Sequence, residues 1–184
     1  MIDLHDERIA VITRLAEKSS GSLGRTALMK FCYFLQTLRD VPLGYHFTLY
    51  SYGPFDSDVL ADLDMAEALG TVQSTVVPYS GGYGYEIKPT DQSQATVRLA
   101  ADFLGKHQED IDWVVNEFRG LNSADLELVG TIVYVDREAA SAGESLKIED
   151  LVQRVKDVKP RFSESRIQGH VENLSGKNLL CSIR

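Results

Sequence analysis

The chain has few of the residues that announce chemistry. Only two of its 184 residues are cysteine, Cys32 and Cys181. They lie far apart and form no Cys-x-x-Cys pair, which fits a reducing compartment better than a disulfide framework. The four histidines, His5, His46, His107 and His170, are isolated, with no His-x-x-x-His or Glu-x-x-His spacing for a metal. There is no Gly-x-Ser-x-Gly elbow, and Ser80-Gly81-Gly82 lacks the Lys-Ser/Thr that must follow in a phosphate-cradling loop. No apolar run approaches the roughly 20 residues needed to cross a bilayer. The opening residues are polar and acidic, unlike a signal peptide. These absences predict a cytoplasmic protein that is not an enzyme and that carries no metal and no cofactor.

Positive charge is also scarce. Lysine and arginine number 19 against 27 acids, for a formal net charge of −8. The excess is even: residues 1–90 carry 7 basic and 11 acidic side chains, residues 91–184 carry 12 and 16, so each half stands at −4. Neither half is a basic arm of the kind that phosphate contacts require. A nucleic-acid partner is therefore disfavoured, and a protein partner is expected.

What is present reads as helices with one hairpin. Ile9, Ile12 and Ala16 recur at helical spacing over residues 4–18. Ser19 to Gly24 is a turn. Arg25 to Leu38 is a second helix, apolar around most of its circumference. Tyr45 to Tyr52 is aromatic and β-branched, a short strand ending in the turn Tyr52-Gly53-Pro54-Phe55. Asp56 is placed to cap a third helix that Gly70 stops near Leu69. Thr71–Val77 and Tyr85–Lys88 form a hairpin around a glycine-rich tip, Pro78 to Gly84. Helices follow over Asp91–Leu104 (entered through an Asp91-x-x-Gln94 box), Gln108–Arg119, Ala124–Glu138, Ser145–Val158 and Ser163–Leu174. The class is α+β, mostly α: a winged-helix-like domain over 1–90 with a hairpin wing, then a helical region over 91–184.

Two separated stretches carry a family resemblance. Leu23-Gly-Arg-Thr-Ala-Leu-Met-Lys-Phe-Cys-Tyr-Phe-Leu35 and Phe47-Thr-Leu-Tyr-Ser-Tyr-Gly-Pro-Phe-Asp56 stand in the order found in Panacea-domain proteins. The chain resembles that group, the SocA-like antitoxins and adaptors, and their YwgA-like relatives. Arg25 stands where that pattern usually has lysine. Lys159-Pro-Arg-Phe-Ser-Glu164 looks more like the YwgA-like branch. The resemblance implies a bacterial or phage setting and, for some members, the binding of a partner such as a toxin by occlusion or delivery.

Candidate surfaces follow from residue type. The third helix carries Asp58 and Asp62 and no Lys or Arg, so it is wrong for a DNA groove and suited to a basic protein surface. Tyr79, Tyr83 and Tyr85 at the hairpin suit protein contact, or else simply pair across the strands. Arg25 and Lys30, with Tyr33 and Tyr52 as neighbours, form either an ion-pair set using Asp58 or Asp62 or an anion pocket. Arg154, Lys156, Lys159, Arg161 and Arg166 make the one locally basic stretch, either a solvated face or a patch for phosphate. Two other readings remain open at this point: a DNA-binding regulator using that stretch, and an enzyme with a scattered site. A homodimer is the default assembly for a small winged-helix protein.

Overall fold

The computed structural model describes residues 4–20, 23–79 and 81–183. Gly21–Ser22 of the predicted turn and Ser80 of the hairpin tip lie outside them. The fold is α+β and mostly helical, as expected. The chain divides into two compact units, one made of the chain up to Thr48 with Phe55–Leu121, the other of Leu49–Pro54 with everything from Asn122 on. This replaces the predicted boundary at residue 90.

In the first unit, α1 (Leu4–Lys18) and α2 (Arg25–Leu38) supply most of the core. Ile9, Ile12, Leu15 and Ala16 of α1 are buried, and α2 is buried continuously from Leu28 to Leu35. α3 (Ser57–Ala68) is capped by Asp56, whose Oδ1 accepts the Asp58 N–H at 2.9 Å. Gly70, at φ +69°, turns the chain out of it, with Gly70 N–H bonded to Glu67 O and Thr71 N–H to Ala66 O. The hairpin strands β3 (Val72–Tyr79) and β4 (Gly82–Pro89) pair antiparallel, Val72 opposite Pro89 through Tyr79 opposite Gly82. They run further than the sequence predicts. Gly82 and Gly84 of the expected tip lie in the ladder, where Gly84 leaves room for the Tyr79 ring, 3.2 Å from where a Cβ would stand.

The single helix expected over 91–104 is two, α4 (Ser93–Leu99) and α5 (Ala101–Lys106), broken at Ala100. Asp91 does not cap; the chain enters α4 through Thr90, whose hydroxyl accepts from Gln92 N–H. α6 (Gln108–Phe118) follows. Both α4 and α6 pack on α1, and α6 also packs on α2. The Phe34 and Phe118 rings lie 4.2 Å apart, and Trp113 stands edge-on to Phe118. Those contacts are why 91–121 belongs with the first unit.

Around the unit boundary, β1 (Thr48–Tyr50) and β2 (Gly53–Phe55) make a small hairpin. The expected strand from Tyr45 is thus shorter, and Gly53-Pro54-Phe55 is a strand after the turn and not the turn itself. The second unit packs α7 (Ser123–Ser141), α8 (Ile148–Val158) and α9 (Glu164–Gly176) against one another. α7 starts where predicted, with Asn122 Oδ1 accepting from Asp125 N–H at 3.0 Å. α8 starts later than Ser145 because Leu146 bridges to Ile183 and donates its N–H to Ser182 O at 2.7 Å. Ser163 caps α9 as expected, through Arg166 N–H. Among the described residues no helix is long and apolar enough to cross a membrane.

Candidate docking surface: hairpin and third helix

The hairpin is anchored at its base and free at its end. Val72 and Ile87 are buried, and Ile87 N–H donates to Leu23 O at 2.8 Å. Side chains alternate across a ladder, so Val76, Pro78, Tyr83 and Tyr85 share one face by register. Val76 is 61% exposed, Tyr83 77% and Tyr85 42%. Tyr79, 60% exposed, sits on the other face over Gly84. The one lysine of β4, Lys88, is bonded to Glu86 at 2.7 Å. Isolated apolar residues are common on protein surfaces, but a contiguous aromatic and aliphatic face is not.

α3 turns one acidic and apolar side outward. Asp58 and Asp64 are exposed there, together with Met65 and Leu69. Asp62 does not join them, contrary to the expectation that it contributes to an exposed contact surface. It is 2% exposed and lies on the stripe formed by the buried Val59, Leu63 and Ala66. Its carboxylate accepts from Tyr45 Oη at 2.8 Å and meets His5 Nδ1 at 2.7 Å, with Arg8 Nη1 at 3.9 Å. Burial raises the Asp62 pKa against the pull of these partners. The sequence held a signal for this: an acid three residues after Val59 and four before Ala66 stands inside an apolar stripe. His5, which looked isolated, and Arg8 were missed because their partner is distant in sequence. Arg8 also donates through Nε to Leu43 O at 2.6 Å and lies over the Tyr45 ring.

The expected Arg25–Lys30–Tyr33–Tyr52 group is not a unit. Arg25 stacks on the Tyr85 ring at 3.7 Å, while Asp58 and Asp62, its expected partners, face Arg8. Lys30 is buried. Tyr33 packs against Phe34 and Phe47. Tyr52 belongs to the second unit, where the Arg161 guanidinium faces its ring. Cys32 is fully buried, and burial pushes its thiol pKa far up, so it is an inert core thiol as the sequence suggests.

The basic stretch of the second unit is largely neutralised from within. Arg154 pairs with Glu144. Lys156 Nζ donates to Pro160 O and Phe162 O at 2.8 and 2.7 Å. Lys159 is buried, 3.2 Å from Glu127 Oε1, and donates to Tyr50 O and Ser51 O. Arg161 binds the other oxygen of Glu127. Arg166 and His170 both hold Asp125; burial of that carboxylate opposes its charge, but these two bonds win and lower its pKa. Arg154, Arg161 and Arg166 are exposed, as a solvated face requires, and each also meets a carboxylate of its own unit; Lys159 is the exception, buried against Glu127. Glu127 and Asp125, the residues that organise it, gave no sequence signal beyond their place on α7.

No protein-family model matches this chain, and no curated protein is significantly similar to it.

Proposed function

We propose that the first unit is a protein-docking module that works by occlusion or delivery and without turnover, in a cytoplasmic setting. The observation that carries this reading is the exposed end of the β3–β4 hairpin, where Val76 and Tyr83 share a face with Tyr85, whose ring is covered in part by the Arg25 guanidinium. Tyrosine is enriched among residues that dominate binding energy, because it offers a large rigid area with a polar tip. The order α1, α2, α3, β3, β4 supports a winged-helix reading, in which α3 would be the recognition helix and the hairpin the wing. α3 carries exposed acids and no cation, which repels a phosphate backbone and favours a partner with a basic rim and an apolar pocket. The resemblance to SocA-like antitoxins and adaptors supports a toxin-like partner.

The test uses affinity capture from the host with the full chain, the Val76→Ser/Tyr83→Ala variant and the Asp58→Lys/Asp64→Lys variant. A partner held by the native chain should be lost from the first variant and bound more weakly, by about tenfold or more, by the second. Recovery of the same proteins at the same affinity with both variants would remove this surface.

A further inference from the structure

We propose that the second unit carries a groove for a short extended peptide segment with an acidic residue at one end, apolar residues in the middle and a basic residue at the other. This rests on the second unit alone and does not depend on the hairpin reading.

Two hollows, of about 510 and 330 Å³, share Leu49 and Val158 as walls. The larger continues past Tyr50, Tyr52, Pro160 and Arg161, over the buried Lys159. The smaller continues along Val135, Ala139, Glu138, Glu144, Arg154 and Asp157. The Leu49–Val158 junction is apolar, and Val158 is an exposed aliphatic side chain at the end of α8. Leu49 is also held in place chemically: its backbone and the Glu138 carboxylate both engage the Tyr134 hydroxyl.

The two ends differ in sign. At the larger hollow, Lys159 and Arg161 stand against one carboxylate, Glu127, which leaves one positive charge in excess. Lys159 is already surrounded by Glu127 and two carbonyls, so the excess is offered by Arg161. The Arg161 side chain is 53% exposed, a guanidinium has five N–H donors, and its flat face is flanked by Tyr52 and Phe162. That is a carboxylate-binding arrangement with aromatic walls. At the smaller hollow, Glu138, Glu144 and Asp157 stand against Arg154 alone, which leaves two negative charges in excess.

Length then selects the occupant. Arg154, the partner of Glu144 at the acidic end, stands one helical turn, roughly 6 Å at about 1.5 Å per residue, before Val158, and Arg161 follows three residues after α8 has ended. The two charged ends therefore lie on opposite sides of the Leu49–Val158 junction, more than one helical turn apart. A free amino acid is too short to join them. An extended chain rising about 3.3 Å per residue spans that turn and reaches past it in three or four residues. Its central side chains would cover Leu49 and Val158.

The probes are two acetylated, amidated tetrapeptides, Glu-Leu-Leu-Lys and its reverse Lys-Leu-Leu-Glu, with neutral Gln-Leu-Leu-Gln and sodium acetate as controls. Each is titrated into the full chain and followed by backbone amide chemical shifts. One dipolar peptide should give saturable shifts at Leu49, Tyr52, Val158 and Arg161, with affinity about tenfold or more above the neutral peptide. Asp157→Lys should weaken it by a similar factor, with the remaining spectrum unchanged; Glu138→Lys serves if that variant does not fold. Tyr52→Ala should weaken the acidic end only. The proposal is overturned by no saturable shift at millimolar peptide, by equal binding of dipolar and neutral peptides, or by acetate alone reproducing the shifts.

Discussion

Each unit buries a carboxylate beside an arginine, and the two are held by different means. Asp62 in the first unit is met by a neutral tyrosine hydroxyl, by His5 and, at 3.9 Å, by Arg8. Burial is the larger effect there, so the carboxyl is pushed toward its protonated form. Glu127 in the second unit lies between two cations, Lys159 and Arg161, that touch its two oxygens. Pairing of cations with carboxylates is common to both units, as Lys18 with Asp112 and Arg39 with Asp110 show in the first; what differs is the burial of the pair. The first unit is organised by aromatic and aliphatic packing through α1, α2 and α6, and its exposed acids on α3 stay unburied. The second unit folds its cations back onto Glu127, Asp125, Glu144 and backbone carbonyls. A run of one sign in a sequence is therefore no measure of the charge left for a partner.

The sharpest way to break this contrast is Glu127→Ala. It leaves the buried Lys159 ammonium with carbonyls only, and loss of one partner from a buried pair costs about 3–5 kcal/mol. The loss should appear as a lower urea midpoint, with amide protection falling in α7, α8 and α9. A change below about 1 kcal/mol would mean that the pair is not desolvated as its geometry requires.

A second, smaller effect separates the units by pH. The Asp125 pKa is lowered on folding, so its contribution is present above the unfolded carboxylate value of about 3.9 and is lost as pH falls through the folded value. The Asp62 pKa is raised, so its contribution is present below that unfolded value and is lost as pH rises through the folded one. Relative to the native chain, Asp125→Asn should grow less stable as pH rises from 2 to 7, and Asp62→Asn more stable. Melting temperatures across that range give the two slopes, and slopes of equal sign would contradict the difference in burial and pairing.

The smallest effect should be at the hairpin end. Tyr83 is 77% exposed, so Tyr83→Ser should alter stability by about 0.5 kcal/mol or less. A larger loss in chemical denaturation would make this tyrosine part of the fold and weaken its role as a docking residue.

Much of the architecture was legible. The α1 and α2 stripes, the Asp56, Asn122 and Ser163 caps, and the Gly70 stop all act within one or two helical turns, and each appears where sequence placed it. The site was legible in part. Tyr79, Tyr83 and Tyr85 are exposed on the hairpin, and Asp58 is exposed on α3. Asp62 and Lys159 were read as surface because type and spacing alone do not reveal a partner 57 residues upstream, as with His5, or 32 residues upstream, as with Glu127.

The amino-acid order by itself determined the main helical segments, several of their caps and stops, and the β3–β4 hairpin, because periodicity, caps and turns are local interactions. Tertiary structure decided that residues 91–121 join the first unit, that Leu49–Pro54 joins the second, and which charges remain outside. Those outcomes depend on long-range contacts that set local dielectric and pairing, and no short window of sequence contains both members of such a pair.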